Sequence, residues 1–406
     1  MNTGDLKTGL LDPKQREEVI TSYVASEQIS PTPGVELCQA GTTTTLVVPA
    51  FNEEEGISHT LNAIVAMDHF EQVEVVFVDN NSTDRTAEII RSYAEKHANI
   101  ILLQESKQGI AFARKRGMDE VIAQFAAKGD FEVPRLIGMT DADSEISKAW
   151  ATTVLRYFRE SDYSVMSGFY HYPSWFNDGA PLEPGSGLFH PKRGLRRKLF
   201  ESGIMFRNTD GRNSVIEAAA YCAVGGVQQA FAADGTPLRT GEDFGLGVRW
   251  AKMGGEIGFL PEGAVTVTNP RRFLNFRLEK LKSDQNTILP KEYYTKDIRI
   301  DAKELARTLN ELETAEDRRN SDIAQIISAM THNVVKPILL GYHSDEKVRE
   351  FFGNSSPFIA DLDNTRKQEL PADDYQLTQL SSELVKKHLN EIELSLWGLL
   401  EEQIAI

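Results

Sequence analysis

The chain has 406 residues, 41% hydrophobic and 26% charged, which is ordinary for a soluble globular protein and enough for one large domain plus an extension. A formal net charge of −16 argues against a general nucleic-acid or anionic-membrane surface. Two cysteines, Cys38 and Cys222, make no disulfide framework, no apolar run approaches the roughly 18 residues of a membrane span, and no signal-peptide pattern opens the chain, so the expected location is cytoplasmic.

Residues 1–41 read as an arm, with a short helix over Gln15–Ala25 and a turn-rich break at Ser30–Gly34. A strand over Thr42–Pro49 then runs into the polar turn Asn52–Glu55, and a helix is expected over Ile57–Met67. The plan repeats. Val73–Val78 is a near-continuous apolar run, as in a strand covered on both faces, and it ends in Asp79. Asn80, Asn81, Ser82, Thr83 and Asp84 offer caps for a helix that continues to His97. Asn99–Ser106 leads into QGIAFARKRG and a helix to about Ala127. This alternation implies a mostly parallel sheet with helices on both faces.

The next apolar run, Leu136–Met139, stops abruptly at Asp141 and Asp143, with only Ala142 between them. Side chains alternate faces along a strand, so at its C-terminal edge both carboxylates can point the same way. Two carboxylates so close need a positive partner, and a hard divalent cation with oxygen ligands meets that need. The carboxyl ends of strands in open α/β sheets are also where ligands bind. By itself, D-x-D equally describes a turn with two solvated aspartates. Neither G-x-G-x-x-G nor G-x-x-x-x-G-K-[ST] follows the first strand, which argues against nicotinamide hydride transfer and P-loop phosphoryl transfer.

A helix over Lys148–Arg159 and a strand in SVMSGFY precede a long aperiodic stretch, His171–Lys198. It carries Tyr172, Trp175 and Phe176 and the basic run Lys192, Arg193, Arg196, Arg197 and Lys198. Gly225-Gly226 makes a tight bend ahead of RTGEDFGLGVRWAKMGG, where Glu242 and Asp243 start a helix whose dipole favours negative charge. Two short strands follow in EIGFLPEGAVTVTNPRR, ending at Arg271 and Arg272. Beyond them two apolar stripes mark helices, one from Ile323 to Val334 and a longer one from Leu377 to Leu399. The long stripe is expected to pack on the preceding domain or to join subunits of a homo-oligomer.

Taken in order, VVPAFNEEEG, VFVDNNSTDRT, QGIAFARKRG, the DAD of Asp141–Asp143 and the GED of Gly241–Asp243 resemble the family 2 glycosyltransferases. The resemblance covers roughly Thr44 to Arg272 and implies a GT-A type α/β fold over residues 42–285, with a helical C-terminal extension over 286–406. It further implies that Pro49, Ala50, Asn52, Glu53 and Asp79 hold the base and ribose of a nucleotide-sugar donor, UDP- or GDP-linked. Arg114 would reach the diphosphate or support Asp141. Asp141 and Asp143 would hold Mn²⁺ or Mg²⁺, and Arg271 and Arg272 would clamp the diphosphate. Asp243 would be the general base that takes the acceptor's proton, with Glu242 beside it. The structural alternatives are a helix cap for Asp79, first-turn carboxylates for Glu242 and Asp243, and surface charge for Arg271 and Arg272.

Two departures from the family pattern stand out. Lys115 occupies a position where the family usually has asparagine, and no histidine follows Asp243 before His332 to serve as a third metal ligand. Arg116 is expected on a solvated face. For the acceptor, aromatic faces suit a sugar ring and arginines suit carboxylate or phosphate. Tyr172, Trp175, Arg196 and Arg197 are therefore expected to bind a small hydrophilic acceptor, beneath a lid formed by His171–Lys198. The expected activity is metal-dependent sugar transfer with inversion. The rivals are a retaining transferase on the same fold and a nucleotide-sugar-binding protein without catalysis.

Overall fold

The computed structural model describes residues 11–177, 195–229, 241–271, 274–275, 278, 302–312, 315–371 and 374–401. The chain forms two compact units, Met1–Tyr170 with Arg207–Val267, and His171–Phe206 with Thr268–Ile406. This division differs from the boundaries expected at residues 41 and 285. The transferase-like part closes at Val267, and residues 171–206 belong with the C-terminal helices.

In the first unit the strands are β1 (Thr44–Ala50), β2 (Val73–Asp79), β3 (Ile100–Gln104), β4 (Leu136–Met139), β5 (Ser144–Ile146), β6 (Val165–Ser167), β7 (Tyr170–His171), β8 (Ser214–Glu217), β9 (Ile257–Phe259) and β10 (Thr266–Thr268). A seven-stranded sheet has the order β3-β2-β1-β4-β8-β6-β9, and β5-β10-β7 form a small second sheet. β3, β2, β1 and β4 are parallel, and β8 runs antiparallel to both its neighbours. Every residue of β1 and β2 is buried, including Thr44, Thr45 and Glu74, as expected of mainly apolar strands with helices covering both faces. Register pairs Ala50 with Asp79, so the first two strand ends lie side by side.

The helix Ile110–Lys128 lies close against this sheet because Gly117 has no side chain. A Cβ there would fall 2.6 Å from Val47 Cγ1 and 2.9 Å from Val78 Cγ2. On the other face, Trp150 fills the space that Gly138 leaves, where a Cβ would sit 2.6 Å from the indole. Buried Leu46, Val48, Phe77, Ile64 and Trp150 share that core.

The N-terminal residues are part of this unit rather than an arm. Asp12 and Gln15 form a reciprocal cap that starts the helix Pro13–Glu27. Arg16 is buried and pairs with Glu217 at 3.0 Å, at the end of β8. Burial pushes the Glu217 carboxyl up, against the pull of Arg16. The hydroxyls of Tyr23 and Tyr221 both donate to Asp119 Oδ1, at 2.8 and 2.9 Å, which ties the first helix to the Gly117 helix.

The second unit is helical, and its core joins Leu195, Leu199 and Met205 to Ile326, Met330, Val334, Leu377, Leu384, Ile392 and Leu396. Leu377, Leu384, Ile392 and Leu396 of the long stripe are thus buried in this unit's own core, with Leu380, Leu389 and Leu399 partly buried against it. A π-helical turn, Thr331–Val335, interrupts the long helix, and Asn333 O accepts the Phe206 N–H at 2.6 Å. Among the described residues no helix is long and apolar enough to cross a membrane.

Candidate active site

The carboxyl edge of the sheet gathers most of the expected residues. Asp79 closes β2, is 3% exposed, and its Oδ1 has no hydrogen-bond partner among the described residues. Pro49 and Ala50 are buried at the end of β1. The turn after β1 is held mainly by its own polar groups. Asn52 sits at φ 52°, and its Oδ1 accepts the Thr83 N–H at 2.8 Å. Glu53 N–H donates to Thr86 Oγ1 at 2.7 Å. The Asn52 side chain therefore shapes the two loops, and Phe51, 45% exposed, is the residue this turn displays.

Asn80 does not cap the following helix. Its amide donates to Glu105 O and Lys107 O at 2.9 and 2.8 Å, and its Oδ1 accepts the Gly109 N–H at 2.7 Å. Asn80 thereby fixes the loop that delivers the helix Ile110–Lys128. That helix starts at Gly109, whose φ of 138° is open to glycine alone. None of Asn80–Asp84 is the N-cap: that position of the helix Thr86–Ala94 is Arg85, without a side-chain cap, although Asp84 Oδ1 accepts the Thr86 N–H at 3.0 Å.

Arg114, one turn into the Ile110–Lys128 helix, is 1% exposed and forms the centre of the site. Its Nη2 donates to Asp141 Oδ1 at 2.9 Å, and its Nη1 donates to Gly211 O at 2.9 Å. Its Nε lies 3.3 Å from Glu242 Oε1, an ion-pair distance without hydrogen-bond alignment. Burial disfavours the guanidinium charge, but Asp141, Glu242 and Asp243 together raise its pKa. One buried cation thus holds the carboxylate expected at the metal and the carboxylate beside the expected base. Asp143, two residues on, is half-buried.

Gly241, at φ 102°, turns the chain into the helix Glu242–Lys252. Asp243 Oδ1 accepts the Phe244 N–H at 2.7 Å, and Oδ2 accepts the Gly211 N–H at 2.6 Å. Burial raises the pKa of Asp243, partly offset by Arg114 and reinforced by the nearby Asp210 carboxylate. Burial likewise raises Glu242, with Arg114 pulling down and Asp243 pushing up. Two adjacent carboxyls are thereby held above their ordinary values.

The segment that sequence reasoning missed is Asn208–Arg212. Thr209 Oγ1 donates to Asp243 O at 2.5 Å and accepts the Gly247 N–H at 3.0 Å. Arg212 forks onto Asp210 at 2.8 and 2.6 Å, and its guanidinium lies 3.5 Å from the Tyr170 ring centroid. Although burial raises it, Arg212 holds the Asp210 carboxyl below its ordinary value. The Asp210-Gly211 dipeptide was the available signal, a turn just ahead of β8.

Other expected residues fall elsewhere. Lys115 faces Asp119, Glu27 and Tyr23, at 2.6, 3.0 and 3.0 Å, and so braces the N-terminal helix. Arg116 is not on a solvated face, since it pairs with buried Glu120 at 2.9 Å and donates to Thr32 Oγ1 at 2.6 Å. Tyr172, Trp175, Arg197 and Arg271 belong to the helical unit. There Trp175 and Phe176 pack on Leu274, Leu278, Leu305 and Leu309. Arg197 pairs with Glu201 at 2.7 Å, and the Arg271 N–H donates to Asn269 Oδ1 at 2.9 Å. The Arg196 side chain, Lys192, Arg193, Arg272 and most of the predicted lid lie outside the described residues.

Residues 45–217 match the family model for glycosyl transferase family 2. Over 77 residues the chain is 35% identical to the glycosyltransferase AglE of Haloferax volcanii, which covers 18% of this chain and 25% of that protein. It is 27% identical over 188 residues to the undecaprenyl-phosphate 4-deoxy-4-formamido-L-arabinose transferase of Edwardsiella ictaluri, covering 44% of this chain and 51% of that one. The chain spans about half or less of the length of these curated relatives. Among solved structures, the mannosyltransferase PcManGT from Pyrobaculum calidifontis, in complex with GDP-Man and Mn2+, aligns at 14% identity with a TM-score of 0.43, over 91% of this chain and 98% of that chain.

Proposed function

We propose, for a chain whose residues 45–217 belong to glycosyl transferase family 2, that it transfers a sugar from a nucleotide-sugar donor to an acceptor hydroxyl by a single inverting displacement. The observation that carries this reading is the buried Arg114, which gathers Asp141, Glu242 and the Gly211 carbonyl, while the Gly211 N–H holds Asp243. Structural ion pairs alone would not leave a second carboxylate, Asp79, buried with an unpartnered oxygen nearby on the same sheet edge. That oxygen is suited to accept a hydrogen bond from a nucleoside.

Asp141 and Asp143 fit a hard divalent cation. Ions of the Mg²⁺ type are commonly held by one or two carboxylates together with substrate phosphates. Among the described residues no group of three or more His, Cys, Asp or Glu side chains converges; the proposed remaining ligands are donor phosphates and water. When bound, Mn²⁺ or Mg²⁺ would neutralise charge on the departing nucleoside diphosphate. Arg114 Nη2, 2.9 Å from Asp141 Oδ1, holds that carboxylate in place.

Asp243 is proposed to take the acceptor hydroxyl proton as the new bond forms at the anomeric carbon and the bond to the diphosphate oxygen breaks. Its raised pKa brings the carboxylate nearer the working pH of a general base. The proposed acceptor is small and hydrophilic, on the strength of the basic run Lys192–Lys198.

The test has two stages. A thermal-shift panel of UDP, GDP, dTDP and CDP with Mn²⁺ or Mg²⁺ identifies the nucleotide, because native-state ligands raise apparent stability. Asp243→Asn should then keep nucleotide binding and lose about 10²–10⁴-fold in turnover. Turnover near the parent rate removes Asp243 from the role of base. Retention of anomeric configuration in the product would favour the retaining alternative. Absence of nucleoside diphosphate release across donors would favour a binding protein.

A further inference from the structure

We infer that Gly211 is a positioning residue that sets the base and the metal-side carboxylate in one frame, with the Asp210–Arg212 fork as its brace. The inference rests on the reading of Asp243 as base. Gly211 offers both polar groups of its backbone to the site. Its N–H donates to Asp243 Oδ2 at 2.6 Å, and its C=O accepts Arg114 Nη1 at 2.9 Å. The same guanidinium donates to Asp141 at 2.9 Å. A displacement of this one residue therefore moves Asp243 and, through Arg114, Asp141.

The position requires glycine for space. A Cβ on Gly211 would lie 2.5 Å from Arg114 Nη2 and 2.8 Å from its Cζ. The segment is built to stay put on either side of that glycine. Asp210 N–H donates to Ser214 Oγ at 2.7 Å, and Asp210 receives the Arg212 N–H at 3.0 Å as well as the guanidinium fork. Arg212 O accepts Thr140 Oγ1 at 3.0 Å, directly before Asp141. The Arg212 guanidinium also stacks on Tyr170. A fork on a carboxylate and a stack on a ring are interactions that lysine cannot reproduce together.

The experiment compares Arg212→Gln, Asp243→Asn and the parent protein. Its readouts are turnover of the sugar nucleotide, calorimetric binding of UDP or GDP with Mn²⁺, and the Gly211 amide proton in protein labelled with ¹⁵N-glycine. The Gly211 signal is assigned by its absence in Gly211→Ala. The expected result for Arg212→Gln is a turnover lower by about 10–10²-fold, the scale of a small misplacement of a catalytic group. Nucleotide affinity should be unchanged, and the Gly211 amide should shift upfield as its bond to Asp243 lengthens. A lower melting temperature with the amide signal and turnover unmoved would overturn the inference and leave Arg212 a purely structural brace.

If Arg212→Gln does not fold, Tyr170→Leu, which removes only the ring beneath the guanidinium, is read by the same criteria. Full turnover in Asp243→Asn would defeat the base assignment instead. The Gly211 amide would still report the clamp in that case, so the two failures are separable.

Discussion

Replacing Arg114 with methionine keeps much of the volume and removes the charge. Asp141, Glu242 and Asp243 then remain without their shared cation, and the Glu242 side chain is only 4% exposed. Breaking a buried pair by removing one partner costs about 3–5 kcal/mol. For a unit of this size, each kcal/mol moves the melting temperature by roughly 2–4 °C, so a loss of about 6–20 °C is expected at pH 8. The pH dependence has a definite sign. Burial already raises Glu242 above its ordinary 4.5, and Arg114 works against that rise. Without Arg114 the folded state holds the proton still more tightly than the unfolded chain. Stability is then retained at low pH and lost as pH climbs from the ordinary carboxylate value through the raised one. The deficit of Arg114→Met relative to the parent should therefore widen between pH 5 and pH 8. Melting followed by circular dichroism at four pH values measures it. A deficit under ~2 °C at pH 8, well below the shift expected for a broken buried pair, or one that shrinks as pH rises, refutes the argument that this cation offsets the burial of Glu242.

Asp143→Ala should abolish the part of nucleoside-diphosphate affinity that depends on Mn²⁺ or Mg²⁺, and excess chelator should abolish transfer; undiminished transfer in chelator counts against a metal. Gly117→Val should cost about 1–3 kcal/mol by overpacking against Val47 and Val78, seen as a lower denaturant midpoint with nucleotide affinity intact in the folded fraction. Ile392→Ala should destabilise the helical unit by about 2–5 kcal/mol without changing molecular mass in light scattering, because the stripe lies in that unit's own core; a fall in mass would reveal a subunit interface.

What the sequence disclosed was local. The runs at Val73–Val78 and Leu136–Met139 announced buried strands because they are apolar throughout except for Glu74, and Asp79 and Asp141 stood out at their ends. Gly241 marked the turn into the Glu242 helix because its backbone angle needs glycine. What stayed hidden depended on distant partners. Arg16 resembles a surface charge until Glu217 is placed against it, 201 residues later. β8 has four residues, and nothing in Ser214–Glu217 specifies that it inserts antiparallel between β4 and β6. Asn208–Arg212 reads as an ordinary polar turn, since the groups it grips, Arg114 and Asp243, lie far away on both sides in sequence. The leucine stripe was legible as an apolar face, but Leu195 and Leu199 sit at the edge of a stretch without periodicity and gave no sign of being its partners.

The helical unit is assembled from two separated pieces of chain, with Arg207–Val267 between them. On a ribosome, Leu195, Leu199 and Met205 emerge well before the helices that cover them. At roughly 5–20 residues per second, they wait on the order of 10–40 s for the chain to reach its end. During that interval these apolar side chains are available to chaperones and to neighbouring nascent chains. A stop codon placed near Gly341 would make the exposure permanent, because Leu377, Leu384, Ile392 and Leu396 would never arrive. Trimming this protein from its C-terminus should therefore yield aggregates rather than a smaller folded protein, and a viable smaller version has to remove residues 171–206 and 268–406 together.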